Sequence, residues 1–294
     1  MPEPEISVII PNLHSPIVDR TIESVLSQEI DHHFEVIVVG MDKHGLVKQF
    51  PEVRHIQTPE PVGAASARNL GIRHARGERL FFIDSDCIAQ DGWMAALMRG
   101  FEQGYPVVGG GVQSPREPFW LLACNLSMFY GELASQKEGE RRFMPTLTLA
   151  VRREVIEQVG PLDEGLPRGQ DIDWTSRMTL AGYRLLFKPS AVVEHHPERQ
   201  DLTSMREMVR KSGYDMIVVR RRYPEIFTIP RLLEKPLTWQ LLAPLIASWV
   251  TLRILWRTAE VRQHPRLIPY IYLQKLSWCK GAAERLREER QNRQ

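Results

Sequence analysis

Cysteine is scarce in this sequence of 294 residues: Cys87, Cys124 and Cys279 are odd in number and fall in no CxxC spacing. That excludes a disulfide framework and a zinc ribbon, and predicts reduced thiols. The opening MPEPEISVIIP has no basic stretch followed by a long apolar one. No cleaved secretory signal is expected, and the protein is expected on the cytoplasmic side. There is also no internal repeat and no low-complexity tract, which excludes solenoids and disordered linkers. What remains is 43% hydrophobic and 25% charged, the composition of a folded chain.

Net charge is only +2, yet it is unevenly spread. Residues 1–200 carry 20 Lys+Arg against 27 Asp+Glu, whereas residues 201–294 carry 18 against 9. An acidic body with a basic tail predicts a catalytic region over 1–200 and a helical extension over 201–294. The extension would face a phospholipid surface, a phosphate-bearing acceptor or the acidic body itself. Nothing in the pattern points to nucleic acid.

Short Val-, Ile- and Phe-rich runs recur at 6–10, 34–39, 54–57 and 79–83, with helical patterns between them. This βαβ rhythm predicts a largely parallel sheet with helices on its faces. The first crossover helix would present Ile17, Thr21, Val25 and Leu26, and a second would end at Gly77. After DGWMAALMRGFEQG the runs PVVGGGV and FMPTLTLAVRR predict a mixed sheet. Two further strands, RLLFKP and VVEHH, follow a helix from Asp171 to about Ala181, and only helices are expected after Asp201.

The sharpest signal is FFIDSD, an apolar strand running into Asp84, Ser85 and Asp86. Ligands bind open α/β sheets at the carboxyl ends of their strands. Two carboxylates at such a junction suit one hard divalent cation, with a diphosphate supplying further oxygens. Alone, DxD also describes an ordinary acidic turn.

In context it does more. ISVIIP, VGAASARNLGIRHARGERLFFIDSD and PLDEGLPRGQDIDWTSRMTLAGYRLLFKPSAVVEHH occur in the order that resembles glycosyltransferase family 2, from about Ile6 to His196. The resemblance implies an α/β fold of GT-A type, with a mixed, mostly parallel sheet flanked by helices. It implies an inverting, non-processive enzyme that moves one sugar from a nucleotide-sugar donor to a glycan or lipid-linked acceptor. Cell-envelope or exopolysaccharide synthesis is the setting it suggests. Asp86 would hold Mn²⁺ or Mg²⁺, Asp84 would assist, and His195 would complete the metal shell, with His196 the alternative ring. Asp171 would deprotonate the acceptor hydroxyl, though it is equally placed to cap its helix. Arg68 would pair with the donor's phosphates or brace the DxD loop, Ser85 lies between the two acids, and Pro11 begins the nucleotide-binding loop.

Three departures stand out. Gly40 occupies the place after the second strand where the family usually carries an acid, leaving Asp42 as the substitute; Gln170 replaces a common glutamate; Trp174 replaces an aliphatic residue. The QxxRW motif of processive synthases is missing. A non-catalytic nucleotide-binding module of the same fold remains an alternative, as does, more remotely, a nucleotidyltransferase.

In the extension, LTWQLLAPLIASWVTLRILW (237–256) is long enough to span a bilayer but is interrupted by Gln240, Pro244 and Arg253. Peripheral contact at the membrane interface, packing on the catalytic region and homodimerisation are the readings it allows. AAERLREERQNRQ is expected to fray into solvent.

Overall fold

The computed structural model describes residues 3–197 and 201–292, apart from the side chain of Arg231. Two compact units are present. One comprises Met1–Gln113, Glu132–Gly165 and Gln170–Glu198; the other comprises Ser114–Gly131, Leu166–Gly169 and Arg199–Gln294.

The first unit is built on a nine-stranded mixed sheet. β1 (Ile6–Leu13) pairs in parallel with β2 (Phe34–Met41), which pairs in parallel with β3 (Arg54–Gln57). β1 extends past Pro11, so this proline lies within the strand, opposite Val39, rather than at its end. Between β1 and β2 runs α1 (Val18–Leu26), which buries Val18, Thr21, Ile22 and Val25. The buried stripe is therefore rotated from the expected one: Ile17 precedes the helix and Leu26 is half-buried. α2 (Ala64–His74) ends at Ala75 in extended conformation, so Gly77 lies beyond the helix and does not close it.

β4 (Arg79–Ile83) lies parallel to β1 on its other side. β5 (Cys87–Ala89), α3 (Trp93–Glu102) and β6 (Val107–Gln113) follow. α4 (Phe119–Met128), which the sequence patterns did not bring out, belongs to the second unit. The chain returns with β7 (Gly139–Arg141), β8 (Thr148–Arg152), α5 (Arg153–Val159) and α6 (Gln170–Leu180). Where two strands were expected, one long β9 (Leu185–His195) is found. Its parallel register with β6 shifts between Gly110 and Gly111, which lets one strand follow the twisted sheet without a break. The order is β3-β2-β1-β4-β8-β6-β9-β5, with β7 on β9. β8 runs antiparallel to both β4 and β6, which makes the sheet mixed.

The apolar runs are explained by burial on both faces, since every residue from Ile6 to Asn12 is buried. On one face Phe81 meets the edge of Trp93 at 5.8 Å; elsewhere in the core Phe82 meets the edge of Trp174 at 5.5 Å. Trp174 is fully buried and its Nε1 donates to the Gly160 carbonyl at 2.9 Å, so the indole is both packed and satisfied.

The second unit, among the described residues, is helical. α7 (Leu202–Arg222) starts at Asp201, whose carboxylate accepts from the Thr203 and Ser204 amides, a helix cap. α8 (Pro236–Arg257), α9 (Ala259–Gln263) and α10 (Ile268–Gln291) complete it. α7 and α10 cross closely at two glycines: a Cβ on Gly213 would overlap the Trp278 carbonyl, and one on Gly281 would overlap that of Arg210. The final stretch does not fray as expected. It is the last part of α10, with Ala282, Ala283 and Leu286 buried beside Ile217, Trp239 and Cys279. Ion pairs of Arg210 with Glu284 and Arg221 with Glu289 tie it to α7, while residues 293–294 lie outside the described part.

Candidate active site

β4 delivers Asp84, Ser85 and Asp86 to the carboxyl end of the parallel strands. Their loop is fixed by hydroxyls from the first crossover, which sequence reading missed: Ser15 Oγ and Thr21 Oγ1 donate to the Ser85 carbonyl at 2.8 and 3.0 Å. Small hydroxyl residues in a crossover are too common to be recognised without the fold. From the opposite side, β5 pairs with β9 so that Cys87 stands against His195, and the His196 amide donates to the Asp86 carbonyl at 2.8 Å. The end of the long strand β9 is thereby set against the acidic loop.

His195 is the ring that faces this loop. Its Nε2 is 3.5 Å from Asp86 Oδ2, and the residue is buried, whereas His196 pairs with Glu194. Burial works to raise the Asp86 carboxyl, but the adjacent His195 outweighs it and holds the group below the usual carboxylate range. Asp86, Cys87 and His195 each offer a ligand atom within 4.8 Å of the others. Burial, reinforced by the Asp86 and Asp84 carboxylates, pushes the Cys87 thiol well up, and a soft sulfur is a poor match for a hard divalent cation. One carboxylate and one imidazole remain, a donor pair that fits Mn²⁺ and suits Mg²⁺ less well.

Arg68, on α2 and buried, forms an ion pair with Asp84. Its Nε and Nη1 are buried with no hydrogen-bond partner among the described residues. Guanidinium groups are rarely left so, and two donors beside an acidic loop are suited to phosphate oxygens.

Asp171 lies in the first turn of α6 and is half-buried. Its Oδ1 accepts from the Ile172 amide at 2.8 Å. Burial raises this carboxyl, against the opposing pull of Arg68, while Asp84 adds to the rise. Asp84, Arg68 and Asp171 are therefore within electrostatic reach of one another. Next in sequence order, Asp173 is buried and bound to Arg177 Nε at 3.1 Å, which assigns it to holding the helix.

A further acid, Glu132, was not anticipated. It follows α4, and its backbone carbonyl accepts from the Val112 amide at 2.8 Å. Burial pushes its carboxyl up to about 7, with Arg141 opposing and Asp171 contributing to the rise. No motif marks Glu132, because only folding brings it near Asp171.

Pro11 and Asp42 sit at the β1–β2 end of the same edge. Asp42 Oδ1 accepts from the His44 amide at 3.2 Å and Oδ2 from the Val47 amide at 2.8 Å, so both oxygens order their own loop. Gly40 has φ of +125°, and a Cβ there would overlap the Asn12 carbonyl oxygen. The backbone itself thus excludes an acidic side chain at the position where one was missed.

Comparison with known proteins adds to this geometry. Residues 7–160 match the model of the family described as Glycosyl transferase family 2. Glycosyltransferase AglE of Haloferax volcanii is 30% identical over 210 residues, covering 67% of this chain and 68% of that one. The pre-mycofactocin glycosyltransferase of Mycobacterium tuberculosis is 24% identical over 170 residues, covering 55% of this chain but 35% of that protein. Among solved structures, the mannosyltransferase PcManGT of Pyrobaculum calidifontis, in complex with GDP-Man and Mn²⁺, superposes with a TM-score of 0.59 at 18% identity, over 92% of this chain and 86% of that one.

Proposed function

The chain belongs to glycosyltransferase family 2, with a GT-A fold, and on that footing we propose that it is a metal-assisted, inverting and non-processive transferase acting on a nucleotide-sugar donor. The observation that supports this best is the gathering of Asp84, Asp86, His195, Arg68 and Asp171 at the carboxyl end of the sheet. Residues 1–200 supply this catalytic centre, with 201–294 as its extension.

Asp86 and His195 would hold the cation, with Asp84 assisting. Bound there, a divalent cation neutralises charge building on the departing nucleoside diphosphate. Arg68 offers its two unpaired nitrogens to the donor's phosphates. Pro11 and the loop ordered by Asp42 border the nucleoside, and Ser85 holds the spacing of the two acids. Asp171 takes the proton from the acceptor hydroxyl as that oxygen bonds to the anomeric carbon and the bond to the diphosphate breaks. One displacement inverts the centre. A carboxyl raised by burial is a better base for a hydroxyl than an exposed one.

The acceptor we infer is a glycan or a lipid-linked intermediate of envelope or exopolysaccharide synthesis, used at the cytoplasmic face of the membrane. α8 supports this. Leu237, Leu241, Leu245, Trp249, Leu252 and Trp256 recur at helical spacing and are all exposed, Trp256 at 84%. The opposite side buries Trp239, Ala247, Thr251 and Ile254 within its own unit. The helix is long and apolar enough to cross a membrane by length and composition. With one face occupied and Arg253 and Arg257 on the other, it fits a helix lying in the interface of an anionic bilayer. Flotation with anionic liposomes should be lost in a Leu241→Glu, Leu245→Glu double variant. Retained flotation, or a dimer that the variant dissolves, would assign the stripe to something other than lipid.

The donor reading is tested by thermal stability with UDP, GDP, dTDP and CMP, each with and without Mn²⁺. A metal-dependent rise with one nucleotide is expected, because a ligand that binds only the native state raises its apparent stability. No rise with any of them would favour a fold that has lost its chemistry.

A further inference from the structure

In the second unit Arg220 of α7 lies over Trp278, one helical turn from Lys275 on α10, and neither cation makes an ion pair with a carboxylate among the described residues. Arg220, in the last turn of α7, lies over the Trp278 ring at 4.7 Å and the Phe227 ring at 5.8 Å. Its Nε is buried with no hydrogen-bond partner among the described residues. Lys275, on α10, donates from Nζ to the Ser127 carbonyl at 2.9 Å and stands 5.9 Å from the centre of the Tyr130 ring. The two share an environment. Burial lowers Lys275 to about 8, and the Arg220 charge adds to the fall. Burial lowers Arg220 as well, and its titratable neighbours are Tyr130 and Cys279. Those of Lys275, besides Arg220, are Cys124 and Cys279, and burial pushes the Cys279 thiol up to about 11. No carboxylate is among these neighbours.

A half-buried charge with no counter-charge beside it is disfavoured, and two of like sign more so. The Ser127 carbonyl and the aromatic rings position the two side chains without neutralising their charge. The Trp278 ring lies against the Arg220 guanidinium, whose planar fork suits oxyanions, and Nε has no hydrogen-bond partner among the described residues. Arg220, Lys275 and Tyr130 all keep partial exposure, so a ligand can reach them from solvent.

We propose that Arg220 and Lys275, beside Tyr130, form an anion site for a phosphoryl group. A phosphate monoester carries close to two negative charges at neutral pH and three acceptor oxygens. It therefore matches two cations better than a single carboxylate does. The group belongs either to the phosphate of a lipid-linked acceptor or headgroup, or to free phosphate. The site stands on the second unit alone and does not depend on the donor reading.

The test uses the full chain without divalent metal, at constant ionic strength with chloride as the control. Thermal stability is followed against inorganic phosphate and against a soluble alkyl monophosphate, for the wild type, Arg220→Met, Lys275→Met and Lys275→Gln. Circular dichroism checks that each variant folds. Phosphate should raise the melting temperature of the wild type, and each variant should bind it about tenfold more weakly or worse, as loss of one charge-assisted hydrogen bond implies. Without anion, Lys275→Met should melt close to the wild type, because the relief of like charge beside Arg220 offsets the lost hydrogen bond to the Ser127 carbonyl. An alkyl phosphate that acts at lower concentration than phosphate assigns the site to lipid, and an equal response assigns it to free phosphate. No response in the wild type, or the same response in the variants, overturns the proposal. The variants' unchanged response to nucleotide with Mn²⁺ keeps that failure separate from failure of the donor site.

Discussion

The guanidinium of Arg68 on α2 is ion-paired with the carboxylate of Asp84 at the end of β4, and this pair joins the second crossover to the acidic loop. The pair leaves Nε and Nη1 of Arg68 buried and without a partner among the described residues. Arg68→Met should therefore loosen the loop and remove donors for the phosphates together. The expected outcome is a KM for the sugar nucleotide raised about tenfold or more, as loss of charge-assisted hydrogen bonds implies. Arg68→Lys keeps the charge but not the planar fork, and should fall between. Steady-state kinetics decides: an unchanged KM would restrict Arg68 to bracing.

Asp171 separates proton removal from donor binding. Asp171→Asn keeps the shape and the acceptor oxygen for the Ile172 amide but cannot take a proton. We expect kcat to fall about 10²- to 10⁴-fold, the usual contribution of a positioned base. The nucleotide- and Mn²⁺-dependent rise in melting temperature should persist. If both are lost, Asp171 maintains the first turn of α6 and is not the base.

The parts of this fold that show in the sequence are those in which neighbours in the chain are neighbours in space. Phe81 and Phe82 face opposite sides of one strand, and the DxD loop follows directly, so the run and its acidic end are adjacent in both senses. Residues brought in from elsewhere leave no such trace. Ser15 and Thr21 reach the Ser85 carbonyl across 70 and 64 residues, and Glu132 comes near Asp171 only once the chain has passed through α4. His195 and His196 are alternate neighbours on a strand end, and pairing of β5 with β9 is what turns His195 toward Asp86. Gly40 in place of an acid read as a departure in base recognition. In the fold it is the result of a backbone that passes too close to Asn12 for any side chain.

Glu132 gives a pH dependence with a definite sign. Its carboxyl is raised by burial from 4.5 to about 7, so the folded state holds the proton more tightly than the unfolded one. Stability from this group is full below pH about 4.5 and declines as pH climbs to about 7, by up to about 3 kcal/mol. Glu132→Gln keeps a neutral group there at every pH. Urea unfolding across this range should show the variant gaining on the wild type as pH rises, and parallel curves would mean that Glu132 is solvated.

The crossing of α7 and α10 predicts a stability change opposite to the one helix propensity gives. Gly→Ala inside an exposed helix stabilises by about 0.5–1 kcal/mol, because alanine has less backbone freedom to lose. At Gly281 the added methyl would overlap the Arg210 carbonyl, and at Gly213 that of Trp278. Both obstacles are backbone, which cannot rotate aside, so the helices must separate and loosen the cluster of Ile217, Trp239, Cys279 and Leu286. The cost of such overpacking is about 1–3 kcal/mol, more than propensity returns. Gly281→Ala and Gly213→Ala should each lower the urea midpoint. Gly131→Ala, where a Cβ meets nothing within 4 Å, should not. A midpoint raised by Gly281→Ala would mean that α7 and α10 stand further apart than this packing requires.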